Sequence, residues 1–196
     1  MRASRRAVAE ELLAQSREHD ATQSDRLDRF RNLEPETAEL LALLVRATSA
    51  RKILELGTSN GYSTIWLADA AEGTGARFTS VEIDAERTAM AAAVLERVGL
   101  AVQLMSADAR EVLAGSPDGA WDLIFLDAER DAYADYWPEL LRVLRADGGL
   151  LAVDNVLSHP QELVEFTALV DAEPTVSSSV VSCGAGLRLI VRGADA

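Results

Sequence analysis

The chain has little cysteine and no long apolar run. Cys183 is the single cysteine among 196 residues, which excludes an internal disulfide and a zinc site built from several cysteines. No stretch approaches the roughly 20 apolar residues that a membrane-spanning helix needs. Acidic Glu10 and Glu11 interrupt the N-terminal segment before the apolar core of a signal peptide can form. We therefore expect a cytoplasmic protein that has no membrane partner.

Positive charge is also scarce, since 19 Lys and Arg residues face 32 Asp and Glu residues and give a net charge of -13. The few clustered cations are Arg2, Arg5 and Arg6, and the others are dispersed among acids. Such a chain repels polyanions. We therefore expect a small molecule as the partner rather than nucleic acid.

Two helices are predicted before residue 51, because the segments 7–15 and 35–49 carry helical apolar patterns and Pro35 suits a first helical turn. This helical preface, residues 1–50, precedes a core over 51–196, and the length fits one domain over 1–196. The apolar helical preface could pack against a second subunit, which makes a homodimer plausible.

Short apolar runs alternate with helix-length amphipathic segments from Lys52 onwards, which is typical of a parallel sheet. Two further strands flank a loop with two glycines and predict a C-terminal antiparallel hairpin. The expected fold class is α/β: a Rossmann-like, doubly wound, mostly parallel seven-stranded sheet with helices on both faces. Loops after parallel strands then share one edge, where function is expected. The predicted strands are 52–56, 77–83, 101–107, 121–127, 149–154, 175–182 and 187–192.

The first strand runs into a glycine-containing turn, where Gly57 and Gly61 let the backbone approach a ligand. Their spacing is G-x-x-x-G and not the G-x-G-x-x-G of dinucleotide binders, which disfavours a NAD-dependent dehydrogenase. Glu55, at the end of a buried strand, suits a cationic ligand better than a pyrophosphate. S-adenosylmethionine (SAM), with its ammonium and sulfonium groups, is a ligand of that kind.

Acidic residues follow the next two strands. Glu82 stands where Rossmann folds hold an acid for ribose hydroxyls, and we assign it that role. Asp84 is expected to cap the following helix, 85–98, which stops at Gly99. A later helix from residue 136 is predicted to stop at Gly148 and Gly149. For Asp108, hydrogen bonding to an adenine amino group and capping of the next helix are equally favoured.

Four segments together resemble the cation-dependent O-methyltransferases related to catechol and caffeoyl-CoA O-methyltransferases: LELGTSNGYS, VEID, FLDAERDAYADYW and GGLLAVDNVLSH. The resemblance covers residues 33–192. It implies that SAM is held by the glycine turn and the acid after the second strand, which here are Glu55, Gly57, Ser59, Gly61, Ser63 and Glu82.

The same resemblance implies a divalent metal bound by Asp127, Asp154 and Asn155. Two carboxylates and an amide carbonyl make an all-oxygen site suited to Mg2+ or Ca2+. Each aspartate taken alone is better explained as a helix cap or loop acid. Because all three residues occupy the positions of the family motif, the metal-binding interpretation is favoured for the set.

Arg130 departs from the family, which has a lysine three residues after the first metal aspartate. Arginine stays protonated and cannot be the base. Arg130 either stabilises an oxyanion, with water or Glu129 taking the proton, or is a surface residue. Tyr133 is expected to be buried rather than to border the substrate, and His159 lies either at the pocket rim or in solvent.

The sequence thus predicts transfer of the SAM methyl group to a hydroxyl of a small, catechol-like aromatic acceptor held by the metal, with Asp127 and Arg130 as catalytic residues. One alternative is metal-independent methylation of a nitrogen or a carboxylate. Another is a SAM-binding protein without catalytic activity. The acceptor itself cannot be inferred from the sequence.

Overall fold

A seven-stranded sheet organises the computed structural model, which describes residues 1–193. Its strand order is β3-β2-β1-β4-β5-β7-β6. Strands β1 to β5 pair in parallel, whereas β7 pairs antiparallel with both β5 and β6. The strands are β1 (Lys52–Leu56), β2 (Arg77–Glu82), β3 (Gln103–Ser106), β4 (Leu123–Leu126), β5 (Leu150–Val153), β6 (Val176–Val181) and β7 (Leu187–Arg192). The predicted sheet with its antiparallel C-terminal hairpin is confirmed.

Seven α-helices accompany the sheet in the described residues. They are α1 (Ala3–Thr22), α2 (Pro35–Ala47), α3 (Tyr62–Thr74), α4 (Ala85–Val98), α5 (Ala109–Gly115), α6 (Tyr133–Val143) and α7 (Val164–Ala172), with short 3-10 turns at Arg130–Ala132 and Pro160–Leu163. None of these helices is long and apolar enough to cross a membrane. The domain predicted over 1–196 includes residues 194–196, which lie outside the described residues.

Two apolar cores cover the two faces of the sheet, because successive strand side chains point to opposite faces. In β1, Ile53 belongs to the core formed with α1, α2 and α3, whereas Leu54 belongs to the core formed with α5, α6 and α7. Both side chains are fully buried. Strands buried on both faces explain the nearly continuous apolar runs of the sequence.

The sequence placed the end of α6 at Gly148 and Gly149, and this boundary is wrong. The helix ends at Val143. Leu144 then forms a parallel bridge with Trp121, and the Arg145 amide donates to the Trp121 carbonyl at 2.8 Å. These contacts compete with the helical ones, and the two glycines instead form the turn into β5.

Strand order reverses beside β1, since the chain leaves it towards β2 and later returns to its other side as β4. Ligands of open α/β sheets bind in the crevice at such a reversal, outside the carboxyl ends of the strands. The loops after β1, β2, β4 and β5 meet at that edge.

Candidate active site

A cavity of about 660 Å³ opens at the carboxyl edge of the sheet. It brings together most of the site residues predicted from the sequence, and its lining includes Gly57, Ser59, Glu82, Asp108, Asp127, Arg130, Asp154 and Asn155. Glu55, Gly61 and Ser63 are not part of the lining. His159 is at the cavity, as one of its two sequence readings proposed.

Gly57 allows the β1 and β4 loops to approach each other closely. Its φ is +104°, and a Cβ at this position would lie 2.1 Å from the Asp127 carbonyl oxygen. The Asp127 amide donates to the Leu56 carbonyl at 2.9 Å. The glycine therefore fixes how Asp127 enters the cavity.

The Glu82 carboxylate is held at the cavity by backbone amides. It accepts from the Ser59 amide at 2.8 Å and from the Asp84 amide at 3.0 Å, and the side chain is buried. Because carboxylate oxygens accept more than one hydrogen bond, both retain capacity for hydroxyl donors. This geometry suits the ribose role predicted for Glu82.

The two acids after Glu82 cap helices. Asp84 accepts from the amides of Glu86 and Arg87 at the start of α4, which confirms its predicted capping role. Asp108 accepts from the Arg110 amide at 2.8 Å and also lines the cavity. One Asp108 oxygen thus caps α5, and the residue also borders the cavity, so both of its predicted roles remain compatible with its position.

Glu55 lies behind the glycine turn, which differs from its expected contact with a cationic ligand. Its fully buried carboxyl group accepts hydrogen bonds from the hydroxyls of Ser63, Thr64 and Ser80 at 2.6, 2.7 and 2.6 Å. Burial raises the pKa of Glu55 to about 7, and the three hydroxyl donors limit the rise. Glu55 and Ser63 therefore join β1, β2 and α3 beneath the cavity.

The two aspartates proposed for a metal meet Asn155 at the ends of β4 and β5. Asn155 Nδ2 donates to Asp127 Oδ1 and to Asp154 Oδ2, both at 3.0 Å. Asn155 has a φ of +67°, a left-handed conformation that asparagine tolerates better than most residues. The three side chains predicted to be ligands thus converge on one point.

Both aspartates are electrostatically perturbed. Burial and the neighbouring Asp154 charge hold the pKa of Asp127 well above its usual range, opposed by the charges of Arg31 and Arg130. Burial raises the pKa of Asp154 to about 6, opposed by its hydrogen bond with Asn155 and by Arg130. Added positive charge at this point would favour the ionised form of both groups.

The residues present fit a divalent cation. In the described chain nothing donates to Asp154 Oδ1, although this oxygen is buried. No cluster of three or more His, Cys, Asp or Glu side chains within residues 1–193 is arranged to hold a metal. A third ligand for a cation at this point would have to be an amide oxygen. Rotation of the Asn155 side-chain amide by half a turn would place Oδ1 where Nδ2 now lies.

Arg130 is buried rather than a surface residue, so that reading of the sequence is wrong. Its side chain is 4% exposed, and Nε donates to Glu162 at 2.7 Å. Both carboxylate oxygens of Glu129, the alternative base, are paired with arginines, one with Arg26 and one with Arg31. Tyr133 is fully buried and donates to the Ala128 carbonyl, which confirms its core position.

Sequence reasoning missed the segment that forms the outer wall of the cavity. This strap, residues 23–34, joins α1 to α2 and lines the cavity from Arg26 to Glu34. Arg26, Arg29 and Arg31 fall within six residues of an acidic chain. That local density of arginine was the available signal.

Comparison with known protein sequences identifies the family. The profile of a family described as O-methyltransferase matches residues 3–193. The chain is 32% identical to a catechol O-methyltransferase of Niastella koreensis, over 76% of this chain and 75% of that protein. It is 36% identical to a catechol O-methyltransferase of Mycobacterium tuberculosis, over 61% of this chain and 54% of that protein.

Solved structures give the same result. An O-methyltransferase from Bacillus cereus in complex with S-adenosylhomocysteine (SAH) superposes with a TM-score of 0.79 at 26% identity, over 95% of this chain and 90% of that one. The O-methyltransferase TomG from Streptomyces achromogenes, involved in tomaymycin synthesis and solved in complex with SAM, superposes with a TM-score of 0.72 at 25% identity. The match covers 83% of this chain and 82% of that one. The resemblance read from the sequence is confirmed, and the chain belongs to the O-methyltransferase family of class I SAM-dependent methyltransferases.

Proposed function

We propose that this enzyme methylates a hydroxyl of a small, catechol-like aromatic acceptor that a divalent cation, Mg2+ or Ca2+, holds in the cavity. The cofactor half of the cavity comprises Gly57, Ser59, Glu82 and Asp108. The acceptor half comprises Asp127, Asp154 and Asn155, with Arg130 beside them. This division follows the two sides of the strand reversal, with β2 and β3 serving the cofactor and β4 and β5 the cation.

One observation carries the metal-dependent form of this function. Three oxygen-bearing side chains from two adjacent strand ends converge within hydrogen-bonding distance, and a buried carboxylate oxygen among them has no donor in the described residues. Such an arrangement is unfavourable without a cation because buried carboxylates repel each other. A hard cation satisfies all three.

The protein's own part in the reaction is mainly alignment. SAM supplies an activated methyl group, and a bound cation lowers the pKa of an oxygen that it contacts. Glu82 and the glycine turn would hold SAM, while Asp127 and Asp154 would hold the acceptor through the cation. Holding both reactants in a reactive orientation removes much of the entropy cost of a bimolecular reaction. Arg130 holds a permanent positive charge beside the acceptor oxygens and favours their ionised form.

The acceptor hydroxyl transfers its proton to water. Arg130 does not accept a proton, and both oxygens of Glu129 bind arginines. Because the acceptor half opens to solvent around His159 and Ser158, water reaches the hydroxyl without a dedicated side-chain base.

Calorimetry with Mg2+ tests the cation site, using Asp154→Ala and a matched control. Because Asp154 supplies the buried free oxygen, we expect the variant to lose at least about tenfold in Mg2+ affinity while its affinity for SAH stays within about twofold. Asp147→Ala removes an exposed aspartate of the turn before β5, at the opposite end of that strand from the cavity, and should change neither. Equal Mg2+ binding by the Asp154→Ala and native proteins would rule out this site and leave metal-independent methylation.

A further inference from the structure

An alternating chain of ion pairs runs along the acceptor half of the cavity. Arg31 pairs with Glu129 at 2.5 Å, and Glu129 also pairs with Arg26 at 3.0 Å. Arg26 continues to Glu162 at 3.4 Å, which pairs with Arg130 at 2.7 Å. We call these five residues the arginine ladder.

The ladder carries an excess of one positive charge and ends in an arginine on both sides. Each terminal arginine keeps a nitrogen that is buried and, among the described residues, finds no acceptor: Nε of Arg31 and Nη2 of Arg130. Both residues line the cavity. A buried N–H without an acceptor is costly, so these two donors are satisfied best by an anionic ligand.

Arg31 is held in a conformation that its own backbone disfavours. Its φ is +52°, a left-handed value that costs a non-glycine residue on the order of 1 kcal/mol. The Asp20 carboxylate maintains it by accepting from the amides of Phe30 and Arg31 at 2.8 and 2.9 Å. Such over-determined strain is typical of residues positioned for a ligand.

We infer that Arg31 recognises a carboxylate on the acceptor, so that the preferred substrates are catechol-like aromatics that carry a carboxylate. This inference rests on the proposed function, because it names the acceptor class of the same cavity. The charges of Arg31 and Arg130 both act on Asp127. The two nitrogens that lack an acceptor in the described residues therefore border the acceptor half of the cavity, that of Arg130 beside the ends of β4 and β5 and that of Arg31 on the strap.

The aromatic side chains that line the cavity lie away from its acceptor half, which supports an acceptor with a polar substituent. Phe30 lies beneath the guanidinium of Arg87 at 5.8 Å, and Tyr136 lies beneath that of Arg110 at 5.2 Å. Both rings thus lie towards α4 and α5, on the cofactor side. The acceptor half is lined mainly by charged and amide side chains, which suit a charged substituent.

The test compares 3,4-dihydroxybenzoate with 3,4-dihydroxybenzamide, which share the hydroxyl pair and differ in the charge of the substituent. The readout is the ratio of their kcat/KM values in the native enzyme, in Arg31→Gln and in a control. Arg97→Gln is the control, because Arg97 forms an exposed pair with Glu11 away from the cavity. SAH affinity is measured for each protein.

We expect the native enzyme and Arg97→Gln to prefer the benzoate at least tenfold. In Arg31→Gln this preference should fall to less than threefold, with SAH affinity unchanged within twofold. Equal use of both acceptors by the native enzyme would overturn the inference and leave the proposed function intact, even if the variant did not fold.

Two other results have distinct meanings. Loss of SAH affinity in Arg31→Gln with the benzoate preference retained would assign Arg31 to the cofactor carboxylate and overturn the inference. A native enzyme that binds SAH but methylates neither of the two acceptors nor catechol would contradict the proposed function, and the inference would fail with it.

Discussion

Gly57 determines the shape of the cavity more directly than any side chain around it. We expect Gly57→Ala to destabilise the protein by at least about 3 kcal/mol, because the new Cβ meets the Asp127 carbonyl and φ is positive. Gly73→Ala is the matched control in α3, where a Cβ meets nothing within 4 Å. It should stabilise by about 0.5–1 kcal/mol. Urea unfolding measures both, and similar midpoints for the two variants would contradict the close approach.

Glu55 should make stability depend on pH. Its folded pKa of about 7 lies above the ordinary value of 4.5, so between these values the folded protein binds more protons than the unfolded chain. Its contribution is therefore present below pH 4.5 and is lost as pH rises through 7, at up to about 1.4 kcal/mol per pH unit.

The variant Glu55→Gln isolates this contribution. Asp127 and Asp154 also have raised pKa values, but both remain in the variant. The difference in unfolding free energy between pH 5 and pH 7.5 should thus be smaller in Glu55→Gln than in the native protein, by on the order of 2–3 kcal/mol. Equal pH dependence in the two proteins would show that Glu55 is not buried as described.

The residues of the site were predicted better than their contacts. Gly57, Glu82, Asp127 and Asp154 reach the cavity because strand ends fix where they emerge. The position of Glu55 behind the turn depends on hydroxyls from α3 and β2, and no local pattern encodes that three-way contact.

At the scale of elements, ion pairs join the strap to the segments that follow β4 and β5. Arg26 joins it to Glu129 and Glu162, and all three side chains are substantially exposed. Exposed pairs contribute at most about 1 kcal/mol each. We expect Arg26→Gln to speed amide exchange of the strap by about fivefold without changing global stability by more than about 1 kcal/mol.

Hydrogen exchange measures this effect, and raising the salt concentration should reproduce part of it in the native protein. Arg97→Gln, which breaks an exposed pair between α1 and α4, should leave exchange of the strap unchanged. Unaltered strap exchange in Arg26→Gln would mean that its backbone contacts, including Ser59 to the Phe30 carbonyl, hold it alone.

The elements themselves were largely predictable, because buried strands and capped helices leave local patterns. β1, α4 and β7 begin and end at the predicted residues, whereas α6 ends early through its contact with the distant Trp121. The arginine ladder was unpredictable for the same reason, since Arg26 and Glu129 are 103 positions apart in the chain.

For the whole molecule, the assignment of the cavity predicts which adenosine-containing ligand stabilises the protein. SAH at a hundred times its Kd should raise the unfolding free energy by about 2.7 kcal/mol. For a protein of this size that corresponds to a rise in Tm of roughly 5–11 °C. NAD+ should leave the Tm unchanged, because the glycine turn lacks the dinucleotide spacing. A larger shift with NAD+ than with SAH would contradict the assignment of the cavity.

The central claim is that methyl transfer to a hydroxyl depends on a cation bound by Asp127, Asp154 and Asn155. The most direct measurement is the rate of methyl transfer from SAM to 3,4-dihydroxybenzoate and to catechol, before and after EDTA and again after Mg2+ is restored. The account predicts activity that EDTA abolishes and Mg2+ recovers, and that Asp154→Ala lacks throughout. Transfer at an undiminished rate in EDTA would contradict it.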